Sequence, residues 1–302
     1  MQTDFLQQIN TRAWGLPPVK LSILRLDLLN ELGVGNKLFK LKYNLQQARD
    51  ERKQSLLSFG GAWSNHIYAL AALGKTEGFK TIGIIRGEPA HGLTPMLEDA
   101  QRWGMELHFV GRQEYRQRNE AGYLQQLHER FPESFIIPEG AANELGTKGC
   151  SEIVGLLDRL DNGYQVLVCA CGTGSTFAGL VSAARADKKL IGVSVLKGLE
   201  GLESAVEKAV DQTPLGQVCQ WQIKHGYHHG GYAKVSPELK AFMLEFEKRH
   251  GIPLDPVYTN KLMYALFEMI KNSEFQLNQR IVAIHSGGLQ GRRGFDWLPG
   301  YF

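Results

Sequence analysis

The sequence predicts an α/β protein with two open, parallel-type sheets and helices on both faces. Three observations carry this. Short apolar runs alternate with longer helical stretches from about residue 56 onward. Those runs are near-continuous in apolar residues, as strands covered on both faces must be. Several of them end in glycine-rich turns that open a helix, where open sheets gather their ligands. At 302 residues the chain has room for about two such units of ~150 residues each.

Composition narrows the function. Hydrophobic residues make up 43% of the chain and charged residues 22%, an ordinary globular balance. A net charge of +3 gives no electrostatic reason to expect nucleic acid or an anionic membrane as partner. No stretch approaches the ~18 apolar residues of a membrane span. Met1-Gln2-Thr3-Asp4-Phe5 lacks a basic and then apolar leader, so no signal peptide is expected. Cys150, Cys169, Cys171 and Cys219 are too sparse for a disulfide scaffold, and Cys169 and Cys171 alternate along an expected strand rather than at zinc spacing. They read as small buried residues in a reducing cytoplasm.

Taken in order, Leu21 to Asp27 reads as a partly buried strand. It leads into Gly33-Val34-Gly35-Asn36-Lys37, where two glycines permit a tight turn. Leu38, Leu41 and Leu45 then mark a helical face, with the helix body expected over Leu41–Arg52. Lys37 therefore stands near a helix N-terminus, where the macrodipole disfavours a cation and frees an amine as nucleophile. The plain alternative is a solvated basic face of Lys37, Lys40 and Lys42, and the segment by itself favours that. Strands are expected at Leu56–Phe59, Thr81–Ile85, Leu107–Val110 and Phe135–Ile137, with helices near Asn65–Leu73, Pro95–Trp103 and Glu114–Arg130. A second set comprises strands Gln165–Ala170, Leu190–Val195 and Ile281–Ile284, with helices near Thr176–Ala186, Pro237–His250 and Asn260–Lys271. The break between the sets falls near Gly146–Gly149.

Three turns carry unusual residues. In Gly60-Gly61-Ala62-Trp63-Ser64-Asn65-His66, either Ser64 or Asn65 suffices as a helix cap. Capping does not explain the two glycines, which bring backbone amides close to a visiting carboxylate or other anion. Cys171-Gly172-Thr173-Gly174-Ser175-Thr176 sits between a strand and a helix and offers amides and three hydroxyls, a cup for one phosphomonoester. It lacks the lysine of a Walker loop and the spacing of a dinucleotide fingerprint. The third turn, His285-Ser286-Gly287-Gly288, is explained equally by a bare strand end. Thr259 is placed to cap the last long helix, and Gly226 to Tyr232 is rich in imidazole and aromatic groups without a second metal cluster, so no metal site is expected.

A reactive lysine, a phosphomonoester cup and a Ser-Asn turn together suggest pyridoxal 5′-phosphate (PLP). The chain resembles the D-cysteine desulfhydrase and 1-aminocyclopropane-1-carboxylate (ACC) deaminase family of tryptophan-synthase-β-like enzymes, PLP fold type II. The resemblance rests on Arg25-Leu26-Asp27, Gly35-Asn36-Lys37, Ser64-Asn65-His66, Ile137-Pro138-Glu139-Gly140, Gly172 to Thr176, Asp255-Pro256-Val257-Tyr258 and Ser286-Gly287-Gly288, in that order along most of the chain. It implies that Lys37 holds the cofactor covalently and then acts as general base. It implies that Asn65 bonds the cofactor phenolate oxygen, that Ser64 meets the substrate carboxylate, and that Gly172, Thr173, Gly174, Ser175 and Thr176 cradle the phosphate. Tyr232 and Tyr258 would flank the substrate, with Thr259 and Ser286 towards the pyridine nitrogen. It further implies a large PLP-binding domain of residues 1–40 and 147–302, a smaller inserted α/β domain of residues 41–146, and a homodimer.

The chain departs from the family pattern at Val34, where another glycine is common, at Phe39, where arginine is frequent, and at Ala62-Trp63. In the deaminase branch a glutamate typically follows the Asp-Pro-Val-Tyr tyrosine, and a leucine is typical at the position of Ser286. This chain has Thr259 and Ser286 there, as the desulfhydrase branch does. The expected activity is β-elimination from a small amino acid such as D-cysteine, giving pyruvate, ammonia and sulfide. ACC deamination is the alternative within the family. Outside it stand a non-catalytic PLP-binding protein and a binder of a phosphorylated metabolite that forms no covalent bond.

Overall fold

The computed structural model describes residues 5–88, 92–211 and 219–298. The strands are β1 (Leu6–Ile9), β2 (Lys20–Arg25), β3 (Ser55–Gly61), β4 (Lys80–Arg86), β5 (Met105–Val110), β6 (Ser134–Ile137), β7 (Val166–Cys171), β8 (Lys189–Ser194), β9 (Gln220–Lys224) and β10 (Arg280–His285). The helices are α1 (Lys37–Asp50), α2 (Asn65–Thr76), α3 (Pro95–Arg102), α4 (Arg112–Arg116), α5 (Ala121–Arg130), α6 (Glu144–Leu160), α7 (Ser175–Ala183), α8 (Leu202–Asp211), α9 (Pro237–His250) and α10 (Thr259–Lys271). The chain divides into two compact units, one of Met1–Asn36 with Cys150–Leu289 and one of Lys37–Gly149 with Gln290–Phe302.

The first unit is built on a six-stranded sheet in the order β1-β2-β10-β7-β8-β9. Every pairing in it is parallel except β1 with β2. Its central strands β7, β8 and β10 are almost wholly buried, which is why they read as continuous Val/Leu/Ile runs. Strands β1 and β9 lie at the two edges, and their half-exposed Leu-Gln-Gln-Ile and Gln-Trp-Gln-Ile-Lys sequences hid them from the pattern. Strand order reverses at β7, whose successors β8 and β9 run to one side while β10 lies on the other. The crevice beyond the carboxyl ends of β7 and β10 is thus the place this sheet prepares for a ligand.

The second unit has a wholly parallel four-stranded sheet, β5-β4-β3-β6. Leu57, Phe59, Ile82, Ile84, Tyr115, Tyr123 and Leu127 form one buried cluster on it. Its order reverses at β3, so the turns after β3 and β6 hold the corresponding position here.

Several expected boundaries move. Strand β2 stops at Arg25, and Leu26–Leu28 form a 3-10 turn because Asp27 folds back onto Arg25. Helix α1 starts at Lys37, one turn ahead of the body expected from Leu41 and in line with the face that opens at Leu38. The long helix expected over Glu114–Arg130 is two, separated by a turn at residues 117–120. The division of the two units falls after Gly149, within α6, whose glycines allow close approach: a Cβ at Gly149 would strike the Phe39 carbonyl.

Candidate active site

In the first unit three chain segments meet at the reversal point of the sheet. The turn after β7 runs Gly172-Thr173-Gly174 into α7. Gly174 takes φ +84° and is the N-cap of α7, so the helix has no side-chain cap for its first amides. The Thr173 and Ser175 hydroxyls are 3.1 Å apart. A Cβ at Gly172 would lie 3.2 Å from the Tyr258 ring, which fixes Tyr258 beside the turn. Asn36 ties the third segment in: its side-chain amide donates to the Thr176 hydroxyl (2.9 Å) and its backbone N–H to the Ser286 carbonyl (3.0 Å). Gly35 cannot be replaced cheaply, since its φ is +57° and a Cβ would run into Ser286. Lys37 is the next residue along the chain from Asn36.

Thr259 does not cap α10. Tyr258 holds the cap position, with no side-chain cap bond, and Thr259 is the first helical residue. Asp255 accepts from the amides of Val257 and Tyr258 in the turn ahead of the helix and of Thr259, at 2.7–3.0 Å. The Thr259 hydroxyl donates to the same carboxylate at 2.9 Å and accepts from the Asp255 N–H at 2.6 Å. An Asp two residues before Val257 gives the amides of the turn, and the first one of the helix, a charged acceptor that a threonine inside the helix cannot supply. Behind Ser286, His285 is buried, with Nε2 donating to the Pro253 carbonyl (2.8 Å) and Nδ1 at 3.0 Å from Asp27. Burial would raise the Asp27 carboxyl, but the charge and hydrogen bond of His285, then those of Arg25, outweigh it and hold it well below the usual carboxylate range. Tyr232 is 47% exposed on the loop before α9.

In the second unit the turn after β3 places Ser64 at the N-cap of α2, where its hydroxyl accepts from the Ile67 N–H (3.3 Å). Asn65 is therefore released from capping. Its carbonyl oxygen accepts from the buried Gln290 amide (3.0 Å). His66 is fully buried, with Nε2 on the Ser58 hydroxyl (2.8 Å) and Nδ1 without a partner among the described residues. Burial and then the nearby positive charges of Lys37 and Lys40 push its pKa well down, so the ring is neutral. Lys40 is no part of a solvated face: it is 4% exposed and its ammonium donates to the Gly140 carbonyl (3.0 Å). Lys37 is half-buried at the first position of α1.

The first unit thus gathers Gly172 to Thr176, Tyr258, Thr259 and Ser286; the second carries Lys37, Ser64 and Asn65. Sequence reasoning missed Gln290, Asp255 and the part played by Asn36. Asp255 could have been found from the pattern of an Asp just ahead of a helix. Gln290 has no local signal, since its partner is 225 residues away.

The signature of the family described as "Pyridoxal-phosphate dependent enzyme" matches residues 13–287. The chain belongs to this family of PLP enzymes. Among its relatives is a Pyrococcus furiosus protein provisionally named as an ACC deaminase, 29% identical over 280 residues that span 88% of this chain and 84% of the relative. A D-cysteine desulfhydrase of Klebsiella pneumoniae is 27% identical, covering 84% of this chain and 82% of its own. The crystal structure of an ACC deaminase homologue superimposes with a TM-score of 0.82 at 26% identity, over 95% of this chain and 90% of that one.

The residues present fit PLP. The turn of Gly172 and Gly174 is a cradle that side chains would fill, at the start of a nine-residue helix with no side-chain cap. Such a start favours a phosphate. Hydroxyls at Thr173, Ser175 and Thr176 supply further donors to a dianion.

Proposed function

We propose that this PLP enzyme is a lyase that eliminates a β-substituent from a small amino acid, D-cysteine or a close analogue. Water completes the reaction, so that cysteine and water give pyruvate, ammonia and hydrogen sulfide. The cofactor, when bound, supplies the electron sink for the carbanion formed at the α-carbon. Lys37 would attach it and, once released, its free amine would take the α-proton. Asn65, with its carbonyl held by Gln290, would donate to the phenolate oxygen. Ser64 has its hydroxyl oxygen on the Ile67 amide, leaving the hydroxyl hydrogen for a substrate carboxylate. Tyr258 beside the phosphate turn and Tyr232 on its loop would bound the amino acid.

The observation that carries the choice of reaction is Thr259. Where a glutamate would protonate the pyridine ring, this chain has a neutral hydroxyl, and that hydroxyl is committed to Asp255. The Asp255 carboxylate is itself occupied by three amides and the hydroxyl. A hydroxyl stabilises a pyridinium far less than a carboxylate does. Opening a cyclopropane needs the stronger sink; expelling sulfide, a good leaving group, needs less. The name of the Klebsiella relative supports the same choice, while the names of the Pyrococcus relative and of the crystal-structure homologue favour deamination of ACC as the second reading. Initial rates of keto-acid release decide: D-cysteine should react fastest, L-cysteine slower and ACC barely. Faster ammonia release from ACC than from D-cysteine would reverse the assignment. Four buried cysteines suit a reducing cytoplasm, and the family resemblance supports a homodimer.

A further inference from the structure

Residues 226–233 form the most contorted stretch of the first unit. Gly226, Gly230 and Gly231 take φ of +91°, +95° and +122°. More telling, His229 and Ala233 stand at φ +47° and +54°, a conformation that costs a residue with a Cβ about 1 kcal/mol or more. Such a backbone persists only where its surroundings over-determine it. The loop's own bonds include the Gly230 N–H to His228 Nδ1 (3.0 Å), the Gly231 N–H to the His228 carbonyl (3.0 Å), the Lys234 N–H to the Gly231 carbonyl (3.3 Å) and a long contact between Ser236 and His229 (3.4 Å).

The loop also has a cation. Lys261, in the first turn of α10, is fully buried, and its ammonium donates to three backbone carbonyls: Gly231 (2.7 Å), His228 (2.8 Å) and Val195 (3.2 Å). Its three donors meet three acceptors, and among the described residues no carboxylate bonds to it. Two of the carbonyls belong to the contorted loop. The third follows β8, where the Val195 N–H bonds the Cys171 carbonyl directly ahead of the phosphate turn. Three carbonyls converging on one buried point form a site for a monovalent cation, here filled by a tethered one. Burial draws the ammonium down to about 8 while Asp255 pulls it up, so it is charged at neutral pH.

We infer that Lys261 is the permanent occupant of an internal cation site, and that through it the strained loop is held so that Tyr232 stands in a fixed place. Lys261 is a positioning residue: it acts through the loop and touches neither cofactor nor substrate. The part of this inference that concerns substrate rests on the reading of Tyr232 given above; the part that concerns the loop does not.

The test is amide hydrogen exchange of residues 226–233 in the PLP-loaded full chain. Lys261→Ala removes the cation and leaves a channel the size of n-propylammonium. Exchange in the loop should quicken about tenfold or more, since bonds from a charged donor are lost. Added n-propylammonium should restore protection and 1-propanol should not. Unchanged exchange, or equal rescue by the neutral alcohol, overturns the inference. Lys261→Met, which keeps length and loses charge, gives the same measurement if the alanine variant does not fold; wild-type protection there also overturns it. KM for the amino acid should rise more than kcat falls. A loosened loop with unchanged KM would confirm Lys261 as the anchor and remove Tyr232 from the substrate site.

Discussion

Asn65 and Ser64 are adjacent, yet the fold gives them opposite duties. Ser64 satisfies the helix, and Gln290 turns the Asn65 amide so that its hydrogens are available. Lys37 is tested most directly by chemistry: borohydride treatment of the PLP-loaded protein should fix a pyridoxyl group on the Lys37 peptide. A label on Lys40 is not expected, because its amine is buried against the Gly140 carbonyl; a label there, or none, removes the assignment. Asp27 carries a pH prediction. Its folded pKa is depressed by His285 and Arg25, whereas in the unfolded chain it titrates near ~4. Between those values the unfolded chain binds more protons, so stability rises with pH. The contribution is complete above ~5 and is lost as pH falls through the folded value. Asp27→Asn should cost ~3–5 kcal/mol at neutral pH, because it strands two buried partners. Chemical denaturation should show that gap shrinking from pH 5 towards acid; a gap independent of pH would mean the carboxylate is not the source.

At the scale of the element, α7 and α10 differ in what precedes them: a glycine turn for α7 and an Asp255-bonded turn for α10. Ahead of α10 the Asp255 carboxylate takes the amides of Val257 and Tyr258 in the preceding turn and of Thr259 at the first helical position. Helix α7 begins on a glycine and has no side-chain cap. Gly174→Asp would place a carboxylate at φ +84° where an anion belongs, with Leu202 and Val206 already 3.0–3.1 Å from the new Cβ. It should weaken PLP binding far more than Thr176→Ala, which removes one hydroxyl bond to a charged group worth ~1–3 kcal/mol. PLP titration followed by absorbance measures both. Equal affinity in wild type and Gly174→Asp would place the phosphate elsewhere.

For the whole molecule, a ligand that binds only the folded chain stabilises it by mass action, about 2.7 kcal/mol at a hundredfold excess over Kd. Stripping PLP should therefore lower Tm, and restoring it should raise Tm by several degrees in units of this size. A melting temperature indifferent to PLP would show that the cradle does not hold the cofactor. The sequence by itself determined the α/β class, the buried parallel strands, and the three turns at strand ends, because those follow from local apolar runs and from glycine's backbone freedom. It also carried the family's order of motifs, and with them the cofactor. Tertiary structure alone decided the strand order that makes β7 and β3 the reversal points, since pairing joins segments far apart in the chain. It alone showed Lys40 buried, the Thr259 hydroxyl taken by Asp255, Gln290 on the Asn65 amide, and Lys261 filling a ring of carbonyls. Each of those depends on a partner supplied by folding: a lysine reads as solvated until a carbonyl is brought to its amine, and a hydroxyl reads as free until a carboxylate takes its hydrogen.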